Sequence, residues 1–433
     1  MAKPNVTVVA EPRVAGSFVY GPLAAKSNAD AENGQLAVAF NITNNEALPV
    51  TVGSVTISFT GQPSVPAKTA IPVPQLAIPA GTTQVQYLLS PDHVILPVPA
   101  PASVSFSLAF DGFTDPVVLS LPLAQYASDG FLFPARSSDL KKGEFWGGSS
   151  AIHGGAGGGT QMFAYDLAVY GYNSTAGWDR VIDGTTGNQN SDYHCWGKPI
   201  YAMADGTVVQ FLDTMADNNT APNFPVPTPN PVEGNHFYIQ HGDVLAGYCH
   251  FQLGSMNPDL LAAGATVTEG QFLGLAGNTG NSSEPHLHLQ IIRGAVPWGD
   301  VGMPLTFRGA YTLEMSQVDT KAWPANTNSP WNLMEGRALP NVFSAVWPGP
   351  LKIGWSKKTF GYVLAWAWLI VIGGWMITPG GIDCVKCGRV LENVLATVSI
   401  AAGIAGLAAT AFGAKERSGG KVATRIARQP QLD

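Results

Sequence analysis

The sequence predicts a mainly β protein that closes with a pair of hydrophobic helices. Three observations lead there. Short runs of alternating apolar and polar residues, separated by turn formers, fill most of the chain. Glycine and proline are abundant, at 49 and 33, while charged residues make up only 12% and apolar residues 45%. That mix suits turn-rich β structure and argues against a coiled coil or a disordered chain. Third, two long runs near the C-terminus, 359–382 and 393–414, contain no charged residue. With 433 residues there is enough chain for two or three domains, each with its own core.

Residues 1–130 come first. "VTISFT" puts Val55, Ile57 and Phe59 on one face, and "VSFSLAF" does so with Val104, Phe106, Leu108 and Phe110. With "LAVAFNITN" and "TQVQYLLS" these make at least four strands, and "ENG" and "PAG" fall between them as turns. An immunoglobulin-like β-sandwich is the expected architecture. The stretch holds no Cys and no Trp, so the antibody-type signature is missing, and its expected role is spacing or binding. The opening "MAKPNVTVVAEPRV" has early prolines and no apolar run of signal-peptide length, so no cleavable export signal is expected.

Charge and cysteine content set further bounds. A net charge of −7 gives no reason to expect a nucleic-acid partner. Four cysteines are too few for a disulfide scaffold. Cys195 and Cys249 could pair, ligate or stand as plain thiols. Cys384 and Cys387 form a CxxC, which supplies two of the four ligands of a structural zinc site and reads as a disulfide or a bare loop.

The second region, 140–310, is also strand-rich and holds seven of the eight histidines; His93 alone lies elsewhere. Histidine is a common metal ligand and general acid or base, so this clustering marks where chemistry is expected. In "GNTGNSSEPHLHLQI", His286 and His288 are two apart on a strand-like run and should share a face. By itself the pair is explained as well by the polar face of a half-buried strand. Further partners come from His250 of "GDVLAGYCHFQLGSM", Asp166 of "TQMFAYDLAV" and His153 of "WGGSSAIHGGAGGGTQ". Asp166 lies between aromatic and apolar residues, where a buried carboxylate needs a counter-charge or a metal.

These stretches, with "GKPIYAMADGTVV", "GNHFYIQHG", "VTEGQFLGLAGNTGNSSEPHLHLQI" and "VGMPLTF" in that order, resemble the M23 family of zinc metallopeptidases, the lysostaphin/LytM type. The similarity covers roughly 143–308, and Pro-His-x-His after Gly-Asn-x-Gly is its most specific part. The resemblance implies an antiparallel β domain. It also implies a zinc ion held by a histidine, Asp166 and His288, with one position open to water. His250 and His286 would be the catalytic pair, orienting and deprotonating that water and stabilising the oxyanion. The family's first motif is His-x-x-x-Asp, but here Met162 stands four residues before Asp166. His153, thirteen residues upstream, is the expected replacement ligand, and His194 of "DYHCWG" is its rival. His236 and His241 are expected to be structural.

Residues 311–357, rich in Pro, Asn and Trp, read as a linker. Each charge-free run in 358–414 approaches the ~20 apolar residues needed to cross a bilayer, so a two-helix transmembrane hairpin is expected, with a basic tail over 415–433. Ala402 and Gly406, at small-xxx-small spacing, would let its helices approach closely. Lysines 352, 357 and 358 precede the hairpin, and Lys415, Arg417, Lys421, Arg425 and Arg428 follow it. The positive-inside rule puts both flanks in the cytoplasm, opposite the side where a cell wall lies.

The expected function is zinc-dependent endopeptidase hydrolysis of peptidoglycan stem or cross-bridge peptides, on a membrane-anchored protein of the cell envelope. The alternative is a non-catalytic wall-binding or regulatory module on the same fold.

Overall fold

The structure is a computed structural model, and it describes residues 3–25, 34–62, 65–89, 92–149, 153, 157–220, 231–315, 318 and 331–351. They are mainly β. Among them there is no α-helix; short 3-10 turns such as Ser137–Asp139, Asn190–Asp192 and Pro258–Leu260 interrupt the strands.

Two sheets build the N-terminal region. One has three strands, Val6–Glu11, Ala39–Asn44 and Thr83–Tyr87, and the other has eight. Alternation does the work in the larger sheet. Along Ser103–Phe110, Val104, Phe106, Leu108 and Phe110 are buried, while Ser105 faces outward and its hydroxyl meets that of Ser120 at 2.7 Å on the neighbouring strand. Phe18 and Phe40 both pack edge-on against Phe106, with ring centroids 5.1 and 5.4 Å away. Phe40 belongs to the three-stranded sheet and Phe18 and Phe106 to the larger one, so the two sheets share one core.

An eleven-stranded sheet forms the centre, and its registered neighbours are all antiparallel. Through its middle run Asn235–His241, Val244–Phe251, Leu287–Arg293, Tyr165–Asn173 and Phe145–Gly148, in that order. Val244–Phe251 is buried at all eight positions, so this part of the sheet is covered on both faces. Leu23 bridges Ala338, and Val19, Leu23 and Ala24 join the same core as the central sheet.

The stretch expected as a linker, 311–357, is different from that expectation. Ala310–Glu314, Asn332–Leu333 and Ser344–Pro348 all lie in the central sheet, and Ser344–Pro348 pairs with both Phe145–Gly148 and Ala310–Glu314. Ser344–Pro348 is buried at every position, and a strand covered on both faces shows no alternation to read.

The expected hairpin 358–414 and basic tail 415–433, with Cys384 and Cys387, lie outside the described residues. No described helix is long and apolar enough to cross a membrane.

Candidate metal centre and its groove

Strand register brings the first two side chains together. Tyr165–Asn173 pairs with Leu287–Arg293 so that Asp166 lies directly opposite His288. On the other flank of that strand Cys249 lies opposite His288, and His250 follows it. The register between Asn235–His241 and Val244–Phe251 slips there: Phe251 pairs with Asn235 and Cys249 with His236, leaving His250 as the extra, bulged residue. Its φ of +69° is the left-handed value that a bulge imposes and that a histidine seldom adopts. The bulge turns its ring to within 5.8 Å of the His288 ring and 4.7 Å of the His286 ring.

Three imidazoles converge on one carboxylate oxygen. Asp166 Oδ1 lies 2.9 Å from His153 Nε2, 3.1 Å from His288 Nδ1 and 3.3 Å from His286 Nε2. Burial pushes the Asp166 carboxyl up, but the imidazoles crowded around its oxygen, His286 foremost and then His153 and His288, outweigh it and hold the group well below the ordinary carboxylate value. His250 moves downward too, through burial and then the neighbouring His286 and His288.

The outward nitrogens are fixed by acceptors. His288 Nε2 donates to Gln290 Oε1 at 3.0 Å, His250 Nδ1 to the Thr279 carbonyl at 2.7 Å, and His286 Nδ1 to the Glu284 carbonyl at 2.9 Å. Each ring therefore turns a lone pair inward, the arrangement that metal ligands and general bases share.

The donor set fits a zinc ion. Ligand atoms of His153, Asp166 and His288 lie within 4.8 Å of one another, and two imidazoles with one carboxylate are a known catalytic zinc combination. His153 Nε2, though close to Asp166 and shielded from solvent, makes no well-aligned hydrogen bond. A buried nitrogen aimed at a carboxylate without bonding it is what a missing cation between them would leave.

A groove of about 640 Å³ opens over these groups, and Tyr170, Arg180, Glu233, Trp298 and Phe343 also line it. Arg180 pairs with the Glu284 carboxylate.

Other histidines and thiols are placed elsewhere. His194, the rival ligand, bonds through Nδ1 to Glu144 Oε1 at 2.9 Å and is absent from the cluster. Met162 is fully buried among Ala37, Ala39, Phe163 and Val301. His241 lies between the Tyr248 hydroxyl and the Asp205 carbonyl, each at 2.9 Å, and His236 bonds the Gly234 carbonyl at 2.8 Å. Cys195 and Cys249 are free, buried thiols, and burial pushes Cys195 up to about 12. Sequence reasoning missed Gln290, Glu233 and Trp298. Gln290 carried a signal, for it continues the two-residue period of His286 and His288. Glu233 and Trp298 had none, because loops bring them to the groove.

Comparison with known proteins gives the site a family. Residues 187–298 match the model of Peptidase family M23. That stretch includes His250, His286 and His288 but stops short of His153 and Asp166. The chain is 35% identical over 97 residues to the peptidoglycan DD-endopeptidase ShyA of Vibrio cholerae serotype O1, which covers 22% of this chain and 18% of that protein. The chain thus spans under a fifth of the length of this curated relative. Among solved structures, the catalytic domain of lysostaphin from Staphylococcus simulans is 22% identical, covering 28% of this chain and 85% of that one, at a TM-score of 0.19. A zinc containing peptidase from Vibrio cholerae is 14% identical, covering 53% and 86%, at 0.17. Structural likenesses that slight decide nothing about this chain. The sequence match is specific to one stretch: residues 187–298 form a domain of the peptidase family M23 type.

Proposed function

We propose that this chain is a zinc-dependent endopeptidase that hydrolyses peptide bonds of bacterial cell-wall peptidoglycan. One observation carries the reading: His153, Asp166 and His288 converge as a ligand set while His250 and His286 flank it with inward lone pairs. A wall-binding module would have no need of that second pair.

Zinc held by His153, Asp166 and His288 would lower the pKa of a water from about 15.7 towards 7 and polarise the scissile carbonyl. The protein's own groups handle the protons. His286 Nε2, its Nδ1–H committed to Glu284, is free to accept the proton of the attacking water and return it to the leaving amine. His250, anchored on Thr279 through its Nδ1–H, presents the Nε2 lone pair to the same space, where it would accept a hydrogen bond from the attacking water and orient it. The groove would hold the peptide beside these groups.

On this reading the N-terminal region would be an immunoglobulin-like sandwich that spaces or binds, and the hydrophobic segments beyond the described residues would anchor the protein in a membrane at the cell envelope. Fractionation of a chain cut after Gly354 tests the anchor; a truncated chain still in the membrane pellet would sink it.

For the catalytic reading, the measurements are zinc content and release of soluble fragments from purified walls by the full-length chain. His153→Ala should lose most of its zinc and its activity, because affinity depends on the full ligand set. His194→Ala should keep its zinc. A reversal of those two results would overturn the ligand assignment, and a zinc-loaded parent that releases no fragments would overturn the enzymatic one.

A further inference from the structure

Three carboxylates lie at the groove, and their surroundings differ. Asp166 sits among imidazoles and Glu284 is paired with Arg180. Glu233 has no cationic partner among the described residues. Its Oε1 accepts from the Tyr238 hydroxyl at 3.2 Å and from the Trp298 indole N–H, both neutral donors. Yet Glu233 is only 8% exposed. A carboxylate so buried costs free energy unless a counter-charge compensates it. His236, three residues on, does not supply one: burial pushes it below its ordinary value, and its ring is held by the Gly234 carbonyl and the Gln210 amide.

The surroundings of Glu233 are built for something. Its carbonyl accepts the His250 amide N–H at 2.9 Å, which ties it to the bulge that aims a proposed catalytic side chain. Trp298 adopts φ +59°, a conformation that costs an aromatic residue free energy and persists only where the fold requires it. Its ring lies against Gly157, where a Cβ would collide with it. The result is an indole fixed beside a carboxylate that lacks a counter-charge, both lining the groove. An ammonium group is complementary to that carboxylate, through a charge-assisted hydrogen bond to the oxygen, with the fixed indole as the neighbouring wall.

We propose that Glu233, walled by Trp298, is a subsite for a side-chain primary ammonium on the peptide that enters the groove. That the peptide is then cleaved rests on the endopeptidase reading above; the recognition does not.

The test is equilibrium binding of two labelled peptides to the full-length, metal-stripped chain, so that no turnover intervenes. Both peptides are capped acetyl-Ala-Lys-Ala-amides, one with a free ε-amine and one with that amine acetylated. The parent should bind the free amine about tenfold tighter, the scale of a hydrogen bond to a charged group. Glu233→Gln keeps an acceptor for Tyr238 and Trp298 while removing the charge, and should bring the two affinities within about twofold. Glu233→Asp, which restores the charge, should recover part of the preference. Thermal melts matching the parent would show that the variants fold. Equal affinities in the parent, no binding of the free amine, or an undiminished preference in Glu233→Gln would overturn the subsite. Wall digestion by the same zinc-restored parent separates the two proposals. An amine preference without digestion removes the endopeptidase reading alone, and digestion without a preference removes the subsite alone.

Discussion

Gln290 Oε1 lies 3.0 Å from His288 Nε2, two residues along one strand. An amide oxygen only accepts, so the imidazole proton sits on Nε2 and the Nδ1 lone pair faces Asp166 and His153. Gln290 thereby selects the tautomer of His288 that can ligate.

Replacing Gln290 with Leu should therefore weaken zinc binding by about 10–100-fold without removing a ligand. Thermal stability should change little or fall slightly, since the substitution removes a buried amide nitrogen that has no partner but also leaves the buried His288 Nε2–H without its acceptor. Competition against a chromophoric chelator measures the affinity. Parental affinity in Gln290→Leu would show that the hydrogen bond does not orient the ligand.

The two histidines of the Pro-His-x-His motif should separate in the laboratory. His286→Ala should retain zinc, since His153, Asp166 and His288 remain, while wall digestion falls by about 10²–10⁴, the usual cost of a lost proton-handling group. His250→Ala should behave the same way. His288→Ala should lose both metal and turnover. Digestion by His286→Ala at the parental rate would reduce that residue to a structural one.

How much of this was legible beforehand depends on whether a pattern is local. Alternation in "VSFSLAF" announced its strand because one face is buried and the other is not. Ser344–Pro348 is buried throughout and gave no such contrast. At the site, the two-residue period of His286 and His288 placed both on one side, and both reach the same Asp166 oxygen. His250 could be named as a candidate from its strand, but its role came only with the resemblance, because its orientation comes from a bulge that is set by a slip against another strand. Glu233 and Trp298 were invisible for a related reason, being 65 residues apart and joined by one hydrogen bond.

Glu144 offers a test of stability. It is 2% exposed, and its carboxylate takes bonds from His194, from the buried Lys198 ammonium and from the Lys141 backbone N–H. Burial alone would raise its pKa, but those bonds outweigh burial and hold it below the ordinary 4.5. A carboxyl lowered on folding adds stability that is complete above its unfolded pKa and is lost as pH falls through the folded one. Glu144→Gln leaves Lys198 charged and uncompensated, and should cost about 3–5 kcal/mol at neutral pH. The gap to the parent in chemical denaturation should shrink as pH drops below about 4.5. A gap constant from pH 7 to 3 would contradict this account.

Gly280 tests whether orienting His250 matters apart from binding metal. It sits at φ +73°, and a Cβ there would run into the Gly234 backbone and the Val232 carbonyl, which lie on the neighbouring loop. Neither loop carries His153, Asp166 or His288. What they do carry is Thr279, next in the chain, whose carbonyl receives the His250 Nδ1–H and whose hydroxyl bonds the Asn235 amide and the Phe251 carbonyl. Gly280→Ala must push the two loops apart and take the Thr279 carbonyl with them, loosening the ring it holds. The expected phenotype is zinc stoichiometry equal to the parent, with wall digestion reduced by about tenfold or more, approaching that of His250→Ala. The double variant with His250→Ala should be little slower than His250→Ala alone, because both changes act through one side chain. Additive losses in the double variant would place the effect of Gly280 elsewhere, and loss of zinc would show that the loop supports the ligands as well.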